Sequence, residues 1–522
     1  MSRTLRNIEL GLDESLEDYL AWQAPGYGSF RVLRQSLDAR HGKAPRLIYS
    51  VEVFGQGEPS ERAPLKFNSV ASYKGPPVVV VGAGPAGLFA TLRLRERGIP
   101  AILLEQGQAT EKRVLAIAKF WRRGELDPLT NVGFGEGGAG LFSDGKLITR
   151  IKSAHIPYVM QRLVQFGAPA EIEFLSNPHV GSDRIRRVIP KMREHLIALG
   201  ASIRFNAKVA EILMANAAVR GVQLHDGTKI QTDRVILACG HSAEDMFQHL
   251  SDLGVKLEGK PFAIGLRIEH PQEVINRIQY REYAQHPKLS AANYKLAFHD
   301  KTDNTGVYSF CMCPGGYVLS CTTDGLGTVS NGMSNFSRGS KFANSAIVVG
   351  VDHERNFGSD IFGGLKFRRE LEAQGLELVR TSGGTKELPA QRLVDFLESR
   401  PSKEMESSCP SGIVSTRLDQ VMSASFKEHF LAGIKKFDRE MKGFLDPSAV
   451  LHGIETRTSC PLRIPRDPSS LESISHAGLF PTGEGAGYAG GITSAACDGV
   501  RVADAIAVSI DQGLELEARP HQ

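Results

Sequence analysis

No stretch of this chain reaches the ~18 consecutive apolar residues that a membrane-spanning helix requires. Its first residues, MSRTLRNIELGLDESLEDY, are charged throughout and lack the apolar centre of a signal or transit peptide. The seven cysteines are dispersed, and no two stand in C-x-x-C spacing. Such a set reads as reduced thiols in a cytoplasmic protein. No grouping of His, Cys and Asp has metal-ligand spacing, so no metal is expected. Net charge is only +4 over 522 residues, too little to argue for nucleic acid or a membrane surface. Repeats and low-complexity tracts are missing as well. What remains, 41% hydrophobic and 23% charged, is the composition of an ordinary globular enzyme, long enough for several domains.

Glycine is plentiful, at 54 residues, and it clusters. The most informative cluster lies in residues 77–107, PVVVVGAGPAGLFATLRLRERGIPAILLEQG. Val78–Val81 is a β-branched run suited to a buried parallel strand. Gly82, Gly84 and Gly87 follow in G-x-G-x-x-G spacing, with Ala83, Pro85 and Ala86 between them. Gly82 permits the tight turn, Gly84 lets the backbone approach a pyrophosphate, and Gly87 lets the helix pack on the strand. Pro85 suits the first helical position, and Gly98 is a stop signal. The helix start presents free N–H groups to a phosphate. Ala101–Leu104 is the next strand. Glu105, followed by Gln106, stands at its end, placed to accept both hydroxyls of an adenosine ribose. Strand, glycines, helix, strand and terminal acid in one unit of about 30 residues mark a dinucleotide site.

Residues 1–55 read as a small β-α-β-β unit: strand Thr4–Leu10, helix Asp13–Trp22, then strands Phe30–Leu37 and Leu47–Phe54 joined by a turn at HGKAP. Its arginines read as a solvated sheet face. Residues 56–76 read as a Gly/Pro/Ser linker. Five glycines crowd residues 133–140 of NVGFGEGGAGLFSDGKL, at 131–147; Gly138 and Gly140 belong to a loop read as wrapping a cofactor, and Phe134, Leu141 and Phe142 argue against a merely mobile segment. A helix capped by Ser182 or Asp183 runs to Leu199, kinked at Pro190 or regular only from there. Strands are expected at Ala201–Phe205, Val209–Met214 and Val235–Cys239, the last ending in Gly240. Residues 261–351 carry short strands at 262–268, 294–299, 307–312, 317–321 and 346–351, an antiparallel sheet. Helices are expected at Phe367–Glu372, Ala390–Glu398 and Ser423–Met441. The chain closes with strand Gly478–Phe480, the loop PTGEGAGYAGGITSAACDG and a helix of small residues.

GAGPAG with Glu105, the strand ending Ala238-Cys239-Gly240 and the late GEGAGYAGG resemble the three cofactor signatures of glutathione-reductase-type FAD proteins. The branch is the one shared by p-hydroxybenzoate hydroxylase-like and geranylgeranyl reductase-like enzymes. More closely, the chain is similar nearly end to end to a family of uncharacterised bacterial FAD-dependent dehydrogenases. The stretches that carry this are FGEGGAGLFSDGKL, PFAIGLRIEHP, SFCMCPGGYV, ETRTSCPLRIPRD and GEGAGYAGGITSAACDG. The resemblance implies non-covalent FAD held by Gly82, Gly84 and Gly87 at the pyrophosphate and Glu105 at the ribose. Arg113 would lie beside the FAD and Val209 by the adenine. Gly483 and Glu484 would face the ribityl chain, where the wider superfamily usually has Asp. Gly491 and Ile492 would lie at the flavin's pyrimidine edge. Cys239 takes the middle place of an Ala-Thr-Gly signature, a place for a small apolar side chain without redox work.

The implied fold is α/β: a discontinuous Rossmann-like FAD-binding domain at 77–260 and 446–522, an antiparallel-sheet and helical substrate region at 261–445, and the small N-terminal domain. The implied activity is an FAD-dependent dehydrogenase or reductase passing hydride through flavin N5 to or from a small molecule, C=C reduction included because Pro314-Gly-Gly-Tyr317 resembles a reductase substrate-sheet motif. A flavin monooxygenase, and an FAD-bearing partner-binding protein without turnover, are the alternatives. One dinucleotide unit leaves no separate NAD(P)H domain, so NAD(P)H, or a ferredoxin as partner protein, would reach the flavin directly. On the substrate side, Cys313 and Tyr317 are expected to face the ring. Cys311 and Cys313 share a strand face too far apart for an easy disulfide, and read as small core side chains. His241 reads as a cap or surface residue. Arg457, Arg463 and Arg466 read equally well as anchors for an anion or as surface salt bridges.

Overall fold

The computed structural model describes residues 2–40, 43–58, 60, 68–70 and 73–513. The turn expected at 41–45 falls partly, and the linker at 56–76 largely, outside these residues. The N-terminal unit has the β-α-β-β order: Arg3–Gly11, helix Leu16–Gln23, Ser29–Asp38 and Arg46–Phe54, with the last strand in the middle of an antiparallel sheet. Ile8, Leu10, Leu20, Val51 and Val53 form its own core. Its edge docks on the body through Gln35, whose N–H and C=O bond Phe174 O and Ser176 N at 2.9 and 2.8 Å.

A five-stranded parallel sheet follows, in the order Leu479–Pro481, Val235–Leu237, Val78–Val81, Ala101–Leu104, Ser202–Arg204. All four residues of Val78–Val81 are buried, as a strand covered on both faces requires. The strand from 479 completes this sheet, so the layer is discontinuous in sequence. The helices Pro85–Glu96 and Ile492–Asp511 pack against each other so closely that a Cβ on Gly499 would overlap the Ala86 carbonyl oxygen.

A seven-stranded sheet lies beyond it. Its order is Ala297–Asp300, Thr305–Cys313, Phe342–Val351, Phe262–Pro271, Val450–Glu455, Leu388–Arg392, Ile413–Ser415, antiparallel except for the last pair. The helix Ala424–Glu440 covers one face with Phe426, Phe430, Ile434 and Phe437.

Several sequence expectations change here. The strand Val450–Glu455 bonds Phe262–Pro271 and Leu388–Arg392 in this second sheet, so the return to the first sheet comes after it and not at 446. Ala390–Glu398 is not a helix: Leu388–Arg392 pairs as a strand, and only Leu393–Leu397 is helical. Ladder bonds to a buried neighbour outweigh helix propensity in that segment. The strand near Tyr317, Gly316–Ser320, leaves the large sheet and pairs with Ser330–Ser334 alone. The helix Ser182–Ala198 runs unbroken through Pro190, and its N-cap is Gly181, at φ 76°, not Ser182 or Asp183.

Candidate functional site

A single cavity of about 1390 Å³ runs between the two large sheets. Pockets for a single small ligand commonly measure roughly 300–1,000 Å³, so this one has room for a dinucleotide and a second small molecule. One wall comes from the ends of the parallel strands: Gly82, Gly84, Pro85 and Ala86 after the first, Glu105 and Gln106 after the second, Ala238, Cys239 and Gly240 after the third. Val209 lines it beside Lys208 and Met246. The glycine-rich loop contributes Gly133 to Gly135 and Gly138 to Gly140, and the late loop contributes Glu484, Gly491 and Ile492. The opposite wall belongs to the second sheet, with Leu296, Tyr308, Phe310, Cys311 and Met312.

Five of the residues singled out in the sequence do not line the cavity, and four of these are buried behind its wall. Ala83, Gly87 and Gly483 are buried behind it. A Cβ on Gly87 would overlap the Gly82 carbonyl oxygen, and the Gly483 N–H is spent on Asp498 at 2.8 Å. Arg463 is exposed on the outside, over the Tyr488 ring. Arg113 is wholly buried, and its guanidinium donates to the carbonyls of Asn131, Val132, Gly135, Glu136 and Gly138 at 2.6–3.2 Å. It is the staple of the glycine-rich loop rather than a ligand beside the cofactor. Burial brings it down to about 10, still a cation at neutral pH.

Glu105 is also more committed than its position suggests. Its carboxylate accepts the N–H groups of Ala83, Gly107 and Gly135 at 2.8, 2.9 and 3.0 Å. A carboxylate offers about four lone-pair sites, so room remains for one ribose hydroxyl, not two.

The substrate-side expectations fail at Cys313 and Tyr317. Neither lines the cavity. The strand Thr305–Cys313 carries a bulge: from Phe310 to Cys313 it takes three steps while its partner takes two, and Cys311 sits at φ 48°. The extra residue breaks the alternation of faces. Cys311 turns into the cavity, and Cys313 turns into the protein, its thiol on the Cys311 carbonyl at 3.2 Å. Tyr317 packs against the core of the parallel-sheet layer instead. All seven cysteines are free. Burial pushes the Cys239 and Cys313 thiols up to about 12, so both are neutral.

Of the other basic residues, Arg457 lines the cavity while bonded to Glu372, Ser242 and Thr323 at 3.0–3.1 Å. Burial would raise Glu372, but Arg457 outweighs it and holds that carboxyl down at about 2. Arg466 is spent internally on Asp498 and the Pro481 carbonyl. His241 lines the cavity rather than the surface, and burial, with Arg368 and Arg457, lowers it to about 3. Under the second sheet's wall, Arg267 clasps Glu455 at 2.7 and 3.0 Å and reaches Asn344 at 2.9 Å. Outside the cavity lining, the fold brings ligand atoms of Asp300, Asp303 and His429 within 4.8 Å of one another, a grouping that sequence spacing does not disclose.

Sequence reasoning missed Lys146, Arg338 and Tyr308 as lining residues. Lys146 sits in a stretch already marked by its glycines. Arg338 lies in a polar turn with no periodic signal.

Residues 76–236 match the family model described as an FAD binding domain, and residues 261–458 match that of the FAD-dependent protein, C-terminal domain-like. An uncharacterized protein of Clostridium beijerinckii is 39% identical over 536 residues, covering 98% of this chain and 99% of the other. This chain belongs to that family of FAD-dependent proteins. Among solved structures, CtdE in complex with FAD is similar at 12% identity and a TM-score of 0.35, covering 84% of this chain and 85% of that one. A halogenase, PltM, in complex with FAD is similar at 10% identity and a TM-score of 0.40, covering 84% and 69%. At these scores the likeness carries no argument about activity. No helix among the described residues is long and apolar enough to cross a membrane.

Proposed function

We propose that the cavity between the two sheets holds FAD along its length, and that the protein is a dehydrogenase or reductase for a small molecule bound against the second sheet. The observation that carries this is one continuous cavity lined on one side by every glycine-rich loop and on the other by the antiparallel sheet. Its interior suits the cofactor. Around Gly84 nothing lies nearer to a would-be Cβ than 3.8 Å, and around Gly240, Gly490 and Gly491 nothing lies within 4 Å. The helices beginning at Pro85 and Ile492 have no side-chain cap, so their free N–H groups are available to phosphate and flavin oxygens. The Glu484 carboxylate, which makes no hydrogen bond among the described residues, is raised to about 7 by burial, with Lys260 opposing. At neutral pH it can donate to or accept from a ribityl hydroxyl.

Bound FAD supplies the exchange of a hydride or electrons. The chain supplies the rest. Gly491 and Ile492 present N–H groups where reduced flavin carries charge. Tyr308, Phe310 and Met312 exclude water from the reacting face. No thiolate is on offer, since Cys239 is neutral and burial also raises Cys311. Tyr317 stands outside the cavity, which removes the particular support for C=C reduction. Free cysteines throughout suit a reducing cytoplasm.

The test is anaerobic mixing of purified yellow protein with NADH, NADPH or reduced ferredoxin. Bleaching of the flavin by one donor, and recolouring by a substrate without oxygen, is expected. Oxygen consumption with an oxygenated product would mark the monooxygenase instead. No bleaching by any donor would leave only the partner-binding role.

A further inference from the structure

We propose that the second-sheet end of the cavity binds the carboxylate of an apolar acid between Lys146 and Arg338. This rests on the reading above, which places the substrate at that end.

Asp144 follows the glycine-rich loop and is buried. Its Oδ2 lies 3.3 Å from Arg338 Nη2 and 3.8 Å from Lys146 Nζ. Two cations therefore share one carboxylate, and one positive charge is left over. The Lys146 ammonium makes no hydrogen bond among the described residues and its side chain keeps 27% of its surface. The Arg338 side chain is nine-tenths buried, and its Nε finds no partner among the described residues. Arg150 and Lys295 line the same cavity. Glu455, on the second-sheet wall, is spent on Arg267. A surplus positive charge on the half-buried Lys146, next to an unmet buried donor on Arg338, calls for an anion.

The chain accepts strained geometry to hold this arginine. Arg338 sits at φ 51°, a region that costs a non-glycine residue and clusters at ligand sites. Its carbonyl fills the space that a Cβ on Gly315 would occupy. The Pro314-Gly315 turn thus has a use that does not involve Tyr317: it seats the turn that carries Arg338.

The walls around the cations are apolar. Phe298, Tyr308, Phe310 and Met312 come from the sheet. Ile148 and Ile151 lie at the mouth, 49% and 39% exposed, where an apolar ligand would cover them. The ligand class that answers both features is an aromatic or aliphatic carboxylic acid.

The experiment titrates the flavin-loaded protein with benzoate, phenylacetate and octanoate, and with the corresponding neutral amides, by calorimetry and by the flavin spectrum. At least one acid is expected to bind at least tenfold tighter than its amide. Lys146→Met and Arg338→Met are each expected to weaken that acid roughly tenfold or more, with flavin content retained, and Lys146→Arg to recover part of the loss. Binding of no acid, equal binding of acid and amide, or undiminished binding by Lys146→Met would overturn the proposal. Protein that carries no flavin would refute the cofactor reading instead, and calorimetry on it would still decide the anion site.

Discussion

Two glycines of one motif, Gly84 and Gly87, should fail in opposite ways. Gly87 lies where the helix Pro85–Glu96 presses on its strand. A Cβ there would overlap the Gly82 carbonyl oxygen and stand 3.3 Å from Val80 Cγ1. The obstacle is backbone and cannot rotate away, so Gly87→Ala falls at the upper end of overpacking costs, about 3 kcal/mol. Alanine's better helix propensity returns about 1 kcal/mol, leaving a net loss of about 2 kcal/mol. That lowers the melting temperature by roughly 4–8 °C for a domain of this size. Gly84 has φ −76° and ψ −177°, open to any residue, and its Cβ would meet nothing nearer than Gly138 Cα at 3.8 Å. Gly84→Val should therefore leave apoprotein stability within about 0.5 kcal/mol. It would fill the space proposed for the pyrophosphate, weakening FAD by about 1–3 kcal/mol, roughly 5- to 150-fold. The assay is the ratio of flavin to protein after gel filtration, with melting curves of the apoproteins, because bound cofactor itself stabilises. A Gly84→Val protein with a full complement of flavin, or a Gly87→Ala apoprotein that melts like its parent, would refute the division.

Arg113→Lys keeps a charge but cannot reach five carbonyls; it should lower the melting temperature by several degrees and loosen FAD, and an unchanged melt would refute the staple. His429 is opposed by burial, but its contacts with the Ser425 carbonyl and Asp303 prevail and raise its pKa. Its stabilising contribution is complete below about pH 6.5, the unfolded value, and is lost as pH rises through the higher folded value. His429→Gln should remove that slope from a plot of urea midpoint against pH; an identical slope in both proteins would sink the argument.

The parallel layer was legible in the sequence because its signals are local: a buried valine run, glycines at fixed spacing, an acid at the next strand end. The second sheet was legible in only four of its strands, those near 262, 297, 305 and 342; Leu388–Arg392, Ile413–Ser415 and Val450–Glu455 were not read as strands. Val450–Glu455 reads LHGIE after its first valine, with histidine and glutamate that look exposed, yet it is a central strand whose Glu455 is satisfied by Arg267 from the neighbouring strand. No window along the chain shows that partnership. Cys313 was misplaced because period-two reasoning assumes an unbroken ladder, and one bulge at Cys311 exchanges the faces. Arg113 was misread for a different reason. A basic residue near a phosphate site suggests a ligand, while its true partners are carbonyls 18–25 positions away.

Glu105 and Arg113 together explain how a loop so rich in glycine can form a wall at all. Residues 133–140 bring few side chains to a core, and each glycine loses more conformational freedom on ordering than any other residue. Apolar packing cannot repay that over so short a segment, so the main chain must be held by its own polar groups. Glu105 takes N–H groups, from Gly135 among others, and Arg113 takes the carbonyls of Gly135 and Gly138. The two buried charges also ease each other, since Glu105 opposes the loss of Arg113's proton that burial favours. The remaining amides and Cα faces of the loop are then free of side chains and fixed in place, which is the condition for binding an anionic cofactor through backbone atoms. Glycine alone would give the loop access without order; the acid at the strand end and the buried arginine give it order.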